Sequence, residues 1–385
     1  MTTTFARVFE GLYTKALARP VVHKGELLSV QRLRGVAVLM VLIVHVEDVS
    51  RHLVGWAGVH SAYTARLGYS AADMFFVISG FIMAYITFTR PFDARSWAIS
   101  RFIRIYPMYA LFSLFVVLLW LYDSRMTMGT GEQSWPRILV SLAGLPQADL
   151  PLLFVGWTVE HEIVFYTVVF MTAKFLGRDR LFLVMAVLSA LAVGRWLFQL
   201  ASGIEVWDFH LASPYMIQFT LGVFVFRWRD RLYRFGWRTP LLFGAAFLLI
   251  GILVAESGRI NHEPMRRVLA FGLAYSGLLV AMLNLERARR SRGLFEQRRD
   301  PLVWIGDASY SIYLTHPFVL GAYGKVFPLL AVSSIGQWSA VAGAGATTLV
   351  VGLATHVLLE RQVMELGRWL SKPRRSSVQQ PGGAA

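Results

Sequence analysis

Along its 385 residues the chain alternates apolar runs with short polar, turn-forming breaks. About 17–25 apolar residues are what a helix needs to cross a bilayer. On that measure helices are expected over residues 33–51, 70–89, 103–122, 152–173, 181–199, 211–227, 239–255, 267–285, 303–324 and 338–359. The breaks fall at turn formers such as Pro91, Gly177-Arg178-Asp179 and Arg299-Asp300-Pro301. The stretch 135–147 is too short and too interrupted for a span, and is expected to be re-entrant or interfacial. Ahead of the first run, Phe5, Val8, Phe9, Leu12, Tyr13, Ala16 and Leu17 recur at helical spacing among Arg7, Lys15 and Arg19. Residues 1–26 are therefore read as a cytoplasmic amphipathic segment on the membrane surface. They lack the continuous apolar core and cleavage site of a signal peptide. Residues 371–385, rich in Ser, Gln, Pro, Gly and Ala, read as a disordered cytoplasmic tail. The pattern predicts an all-α polytopic membrane protein of about ten transmembrane helices, with both termini cytoplasmic.

Composition and charge agree with this. Hydrophobic residues make up 56% of the chain and charged residues 16%, against about 25% charged in soluble domains. A net charge of +15 raises the question of nucleic acid, but the basic residues sit in clusters between apolar runs, not on a soluble surface. With ten spans, 29 of the 38 Lys and Arg residues fall in alternate loops on one side, as the positive-inside rule requires. An eleventh span would invert every later loop. The chain has no cysteine, which excludes disulfides, thiolate metal sites and cysteine acyl intermediates. No metal site is expected, and no internal repeat of the common transporter kind is visible.

Several ionisable residues lie where a bilayer makes them costly. Arg34 and His45 share the run LRGVAVLMVLIVHV. Eleven residues turn a helix by about 1100°, so both side chains share one face, with His45 ~16 Å further along the axis. Arg34 could simply snorkel to headgroups, and a lone His could bond a neighbouring carbonyl. Asp73 precedes MFFVISGF and reads as an outer-interface carboxylate or a site residue; Ser79 and Gly80 read as a small-residue packing face. In RFIRIYP, Arg101 and Arg104 at i and i+3 form a fork suited to phosphate, or else mark an inner loop. Tyr106, Pro107 and Tyr109 suggest an interfacial anchor. In WTVEHEIVFY, Glu160 and Glu162 point about 200° apart. One should face protein and the other approach water, and a carboxylate here could orient a histidine from another span. In GDASYSIYLTHPF, Ser309, Tyr313 and His316 share a helix face, with a kink or break expected at His316-Pro317. That face suits a hydrated cavity or interhelical hydrogen bonds equally.

In this order, RLRGVAVLMVLIVH, DMFFVISGF, RFIRIYPMY, WTVEHEIVFY and GDASYSIYLTHPF resemble the acyltransferase-3 family of integral membrane O-acyltransferases, from Leu28 to about Glu360. GFIM, GWT…E..FY and GDASYSIYLTHPF look most like bacterial exopolysaccharide acetyltransferases. Val159 stands where leucine is usual, and Gln362 where many relatives have proline; neither touches a proposed reacting group. The resemblance implies an acyltransferase-3 transmembrane domain over 27–361 in the bacterial inner membrane. His45 then matches the family's essential histidine, Arg34 its paired arginine, Arg101 and Arg104 its R-x-x-R motif and Glu162 its E-x-x-F-Y glutamate.

The reaction implied takes an acyl group, acetyl by default, from cytosolic acyl-CoA to a hydroxyl of an exported polysaccharide or glycolipid. No cofactor is bound permanently; acyl-CoA is a co-substrate. Arg34, Arg101 and Arg104 would hold CoA phosphates, and His45, oriented by Glu162, would act as base or acyl carrier. Tyr313, His316, Ser309 and Asp73 would line the acceptor path or stabilise the oxyanion. A transporter or flippase without acyl-transfer chemistry, or a structural partner in polysaccharide export, shares the polar bundle interior and the span count.

Overall fold

The computed structural model describes residues 27–54, 62–126, 128, 130, 133–254, 265–293, 300–330 and 334–370, all helix, turn or loop. The amphipathic segment 1–26 and the tail 371–385 lie outside the described residues. The helices are α1 (Leu28–Val54), α2 (Ala62–Tyr69), α3 (Ala71–Thr89), α4 (Ala94–Tyr122), α5 (Trp135–Ala143), α6 (Trp157–Met171) and α7 (Leu181–Ser202). They continue with α8 (Tyr215–Arg227), α9 (Arg238–Val254), α10 (Met265–Ser291), α11 (Pro301–Asp307), α12 (Ser309–Leu330), α13 (Ser334–Thr355) and α14 (Arg361–Leu370).

Six helical stretches among the described residues are long and apolar enough to cross a membrane: 28–49, 63–89, 94–122, 154–202, 265–291 and 336–370. The pair 229–235 and 238–254, bent by 94°, would make a seventh. This is fewer than ten for identifiable reasons. The stretch 154–202 joins α6 and α7 through a π-turn and a 3₁₀ turn. Helix α8, 13 residues long, rises only ~20 Å against the ~30 Å of a bilayer core. Helix α12 carries Ser309, Ser311, Thr315 and His316 among its apolar residues, all buried.

The outward surface is apolar. Leu111, Leu114, Leu118 and Leu121 of α4, Leu183, Val187 and Leu191 of α7, and Leu242, Leu249 and Leu253 of α9 are all exposed. Their spacing of three, four or seven residues places them on outward helix faces. Inside, α3 and α8 cross so closely that a Cβ at Gly80 would lie 2.1 Å from the Phe219 carbonyl oxygen, and one at Gly222 would lie 2.1 Å from that of Val77. Only glycine permits this backbone approach. The expected packing role of Gly80 therefore holds, and the crossing fixes the face of α3 that bears Asp73, Phe76 and Ser79.

Helix α5, within the stretch expected to be too short for a span, has nine residues and ~13 Å of rise; it packs through Ile138, which is fully buried. Two other local expectations change. Tyr106 and Tyr109 donate to the carbonyls of Leu142 and Ser141 at 3.2 and 2.7 Å. They tether α5 and its end instead of anchoring the chain at an interface, and Tyr109 is buried. Helix α12 runs unbroken through Pro317.

Candidate active site

Helices α1, α3, α4, α6 and α12 enclose a cavity of about 120 Å³. Arg34 enters it from α1, Ser79 from α3, Arg101 and Arg104 from α4, Glu162 and Tyr166 from α6, and Ser309 and Tyr313 from α12. Helix α4 begins at Ala94, so Arg101 and Arg104 sit about two and three turns inside it, and their i,i+3 spacing presents both to the cavity. Arg34 Nη2 donates to Ser309 Oγ at 3.0 Å. Arg101 faces the Glu162–Tyr166 pair. Three guanidiniums thus meet one lining carboxylate, a cationic surface that neither snorkelling nor loop charge explains and that suits a polyanion.

Arg104 is held from behind by a residue whose role the sequence did not reveal. Its Nη1 donates to Glu360 Oε1 at 2.5 Å, and its guanidinium lies 5.9 Å from the Tyr310 ring. Glu360 is 1% exposed and also accepts from Ser311 Oγ at 2.6 Å and His356 Nδ1 at 2.8 Å. It sits in a π-helical turn, residues 356–360, between α13 and α14; such turns recur at functional positions. The 256 residues separating Glu360 from Arg104 left no local spacing by which to pair them.

Glu162 does not orient His45. Its Oε1 accepts from Ser79 Oγ at 2.9 Å and Tyr166 OH at 2.6 Å, which fixes the carboxylate in the arginine cavity. Ser79 is therefore a site residue as well as a small residue. The carboxylate facing His45 is Asp48 of its own helix, with Oδ2 3.9 Å from Nδ1, and Asp48 in turn accepts from Tyr69 OH. The His45 ring stacks on His316 with centroids 5.0 Å apart and planes at 25°, and meets the edges of Tyr69 and Phe154. The matched pairs Arg34–Ser309 and His45–His316 confirm that Arg34 and His45 share one face of α1, turned toward α12.

Tyr313 touches both the cavity and the histidine pair. It lines the cavity, and its ring lies 5.7 Å from that of His316. Its hydroxyl donates to Val155 O at 3.1 Å and accepts from Thr158 Oγ1 at 3.0 Å. A phenol has one hydrogen, so Tyr313 as bonded here has none left for an oxyanion. His316 donates through Nδ1 to the Tyr313 carbonyl at 2.7 Å, so its neutral ring also lacks a free donor for an oxyanion.

Asp73 does not line the cavity. It is fully buried, bonded to Arg267 Nη2 at 3.0 Å and to the Gln218 amide. It joins α3, α8 and α10 as a structural ion pair. Glu160 is also buried within protein and accepts from Gln147 Nε2 at 2.7 Å and His210 Nε2 at 3.1 Å. His161 stacks on His210 at 3.8 Å. Of the two glutamates, Glu160 locks the segment before α8 to α6 while Glu162 reaches the cavity. No group of three or more His, Asp or Glu side chains among the described residues is arranged to hold a metal.

The acyltransferase domain of the acyltransferase-3 family matches residues 27–357. ExoZ, an exopolysaccharide production protein of Rhizobium meliloti (strain 1021), is 27% identical over 324 residues, 78% of this chain and 91% of that protein. Acyltransferase MdmB of Streptomyces mycarofaciens is 25% identical over 371 residues, 88% of this chain and 92% of its own. The family match covers the arginine cavity lining and both histidines of the stacked pair, and the apolar helices around them make a multi-pass membrane protein. The chain belongs to the acyltransferase-3 family and is an O-acyltransferase.

Proposed function

We propose that this enzyme transfers an acyl group, acetyl in the first instance, from cytosolic acyl-CoA to a hydroxyl of an exported or lipid-linked polysaccharide. The observation that carries this reading is the convergence of Arg34, Arg101 and Arg104 on one cavity, while His45 stands three turns beyond Arg34 on the same face of α1. The arginines would bind the phosphates of CoA by charge-assisted hydrogen bonds. The thioester end would then pass Tyr313 toward His45, which takes up the acyl group or the proton of the attacking hydroxyl. A polysaccharide acceptor is favoured by the likeness to an exopolysaccharide production protein.

In this reading ten spans cross the inner membrane and both termini are cytoplasmic. The stretch 154–202 would be ~70 Å long as one straight helix, more than twice the bilayer core, so it supplies two spans. Helices α1 and α12 run in the same direction, because Arg34 meets Ser309 and His45 meets His316. The first and ninth of ten alternating spans must do so. The arginine cavity then faces the cytosolic donor, and His45 lies ~16 Å deeper.

Membranes containing the protein, incubated with labelled acetyl-CoA and polysaccharide from a strain lacking it, should yield labelled polysaccharide; a protein that only transports would transfer no label. Arg34→Lys should lower turnover, since an ammonium cannot reproduce the planar two-pronged contact. An arginine present only for topology would tolerate lysine. Glu360→Gln should raise KM for acyl-CoA about tenfold or more while changing kcat less, because Arg104 loses the ionic partner that aims it. An unchanged KM would remove Glu360 from donor binding.

A further inference from the structure

His316 is 1% exposed, and its two ring nitrogens are in unlike positions. Nδ1 lies 2.7 Å from the Tyr313 carbonyl oxygen. A carbonyl only accepts, so Nδ1 carries the hydrogen and Nε2 of the neutral ring keeps a lone pair. That nitrogen is buried and has no hydrogen-bond partner among the described residues. Folded proteins rarely leave a buried acceptor unpaired, and one that persists points to a function or a missing partner.

The surroundings indicate which partner is missing. His45 covers one face of the ring at 5.0 Å, Phe154 stands edge-on at 6.4 Å and Tyr313 lies at 5.7 Å. The site offers an aromatic enclosure around the bare Nε2 acceptor of His316. A ligand that satisfies it must bring a hydrogen, as the hydroxyl of the acyl acceptor does.

We propose that Nε2 of His316 binds the acceptor hydroxyl and takes its proton, so that His316 is the general base and His45 serves the acyl group. The inference rests on the acyl-transfer reading above. As the hydroxyl oxygen bonds to the acyl carbon, its O–H bond breaks and the proton moves to Nε2. The bond between the acyl carbon and His45, formed earlier as the thioester C–S bond broke and the thiolate took the imidazole's proton, breaks with its electron pair returning to the His45 ring. That ring recovers the proton from Nε2, and an ester, a thiol and two neutral rings remain. The hydrogen bond from Nδ1 to the Tyr313 carbonyl holds the reactive tautomer before transfer and steadies the imidazolium after it.

The test compares two acceptors on the purified full-length protein with acetyl-CoA. One is chemically de-O-acylated exopolysaccharide, whose hydroxyls need a base. The other is hydroxylamine, which attacks acyl groups without one. In His316→Gln and His316→Asn the ratio of polysaccharide to hydroxylamine acylation should fall about 10²–10⁴-fold, the usual contribution of a general base. Because it is a ratio, partial loss of folded protein does not mimic the effect. An unchanged ratio overturns the proposal, whether both activities persist or both fall together. A wild-type protein that acylates neither acceptor overturns the acyl-transfer reading itself.

Discussion

Replacing His45 with alanine should leave the cell's polysaccharide without its O-acyl groups while the protein still accumulates in the membrane. The ring makes stacking and edge contacts with His316, Tyr69 and Phe154, and its Nδ1 is 3.9 Å from Asp48. Its loss therefore removes packing but strips no buried charge of a close partner. The chemistry is less forgiving. A group that carries the acyl moiety or moves the proton contributes about 10²–10⁴-fold or more to the rate. Proton NMR of the polysaccharide from a deletion strain complemented with His45→Ala reads the outcome, and an immunoblot checks protein level. Undiminished O-acylation would refute the role of His45. Comparison with His316→Gln separates their duties: His45→Ala should abolish the enzyme-dependent acylation of both polysaccharide and hydroxylamine, measured above a reaction without protein, whereas His316→Gln should shift the ratio between them.

Asp73→Ala should fail in the opposite manner, with protein lost before activity can be measured. Asp73 and Arg267 are 0% and 3% exposed and 3.0 Å apart. Removing the carboxylate takes from a buried guanidinium the counter-charge 3.0 Å away, and breaking a buried pair in this way costs about 3–5 kcal/mol. That is a large part of the ~5–15 kcal/mol that holds a typical protein together. Membrane levels and thermal unfolding in detergent are the readouts. Asp73→Asn, which retains an oxygen that can accept from Arg267 and Gln218, should fall between alanine and wild type. If Asp73 instead lined the acceptor path, Asp73→Ala would accumulate and unfold normally but be inactive. Asp73 shows why an ionisable residue in an apolar run is ambiguous before its partner is known. The same cost in the bilayer is accepted for a structural pair and for a reactive group.

The helical architecture was legible because it is local. Apolar length and 3.6-residue periodicity are properties of contiguous sequence, and they placed helices at the runs they marked. The shared face of Arg34 and His45, and that of Arg101 and Arg104, follow from angular arithmetic within one helix. Resemblance then gave these four residues a common chemistry. Span count was less legible. Short α8 and polar-faced α12 depend on their neighbours for burial, and no window of sequence contains those neighbours.

What the sequence determined alone was thus the all-helical class, the apolar exterior and which residues share a helix face. Only tertiary structure decided who meets whom across the bundle. It put Glu162 beside Ser79 and Tyr166, 83 and four residues away, and not beside His45. It paired Asp73 with Arg267 across 194 residues and Arg104 with Glu360 across 256, and it stacked His316 on His45. A side chain's face is set by its own helix, but its partner is set by how helices cross, and crossing depends on the joint packing of surfaces distant in sequence.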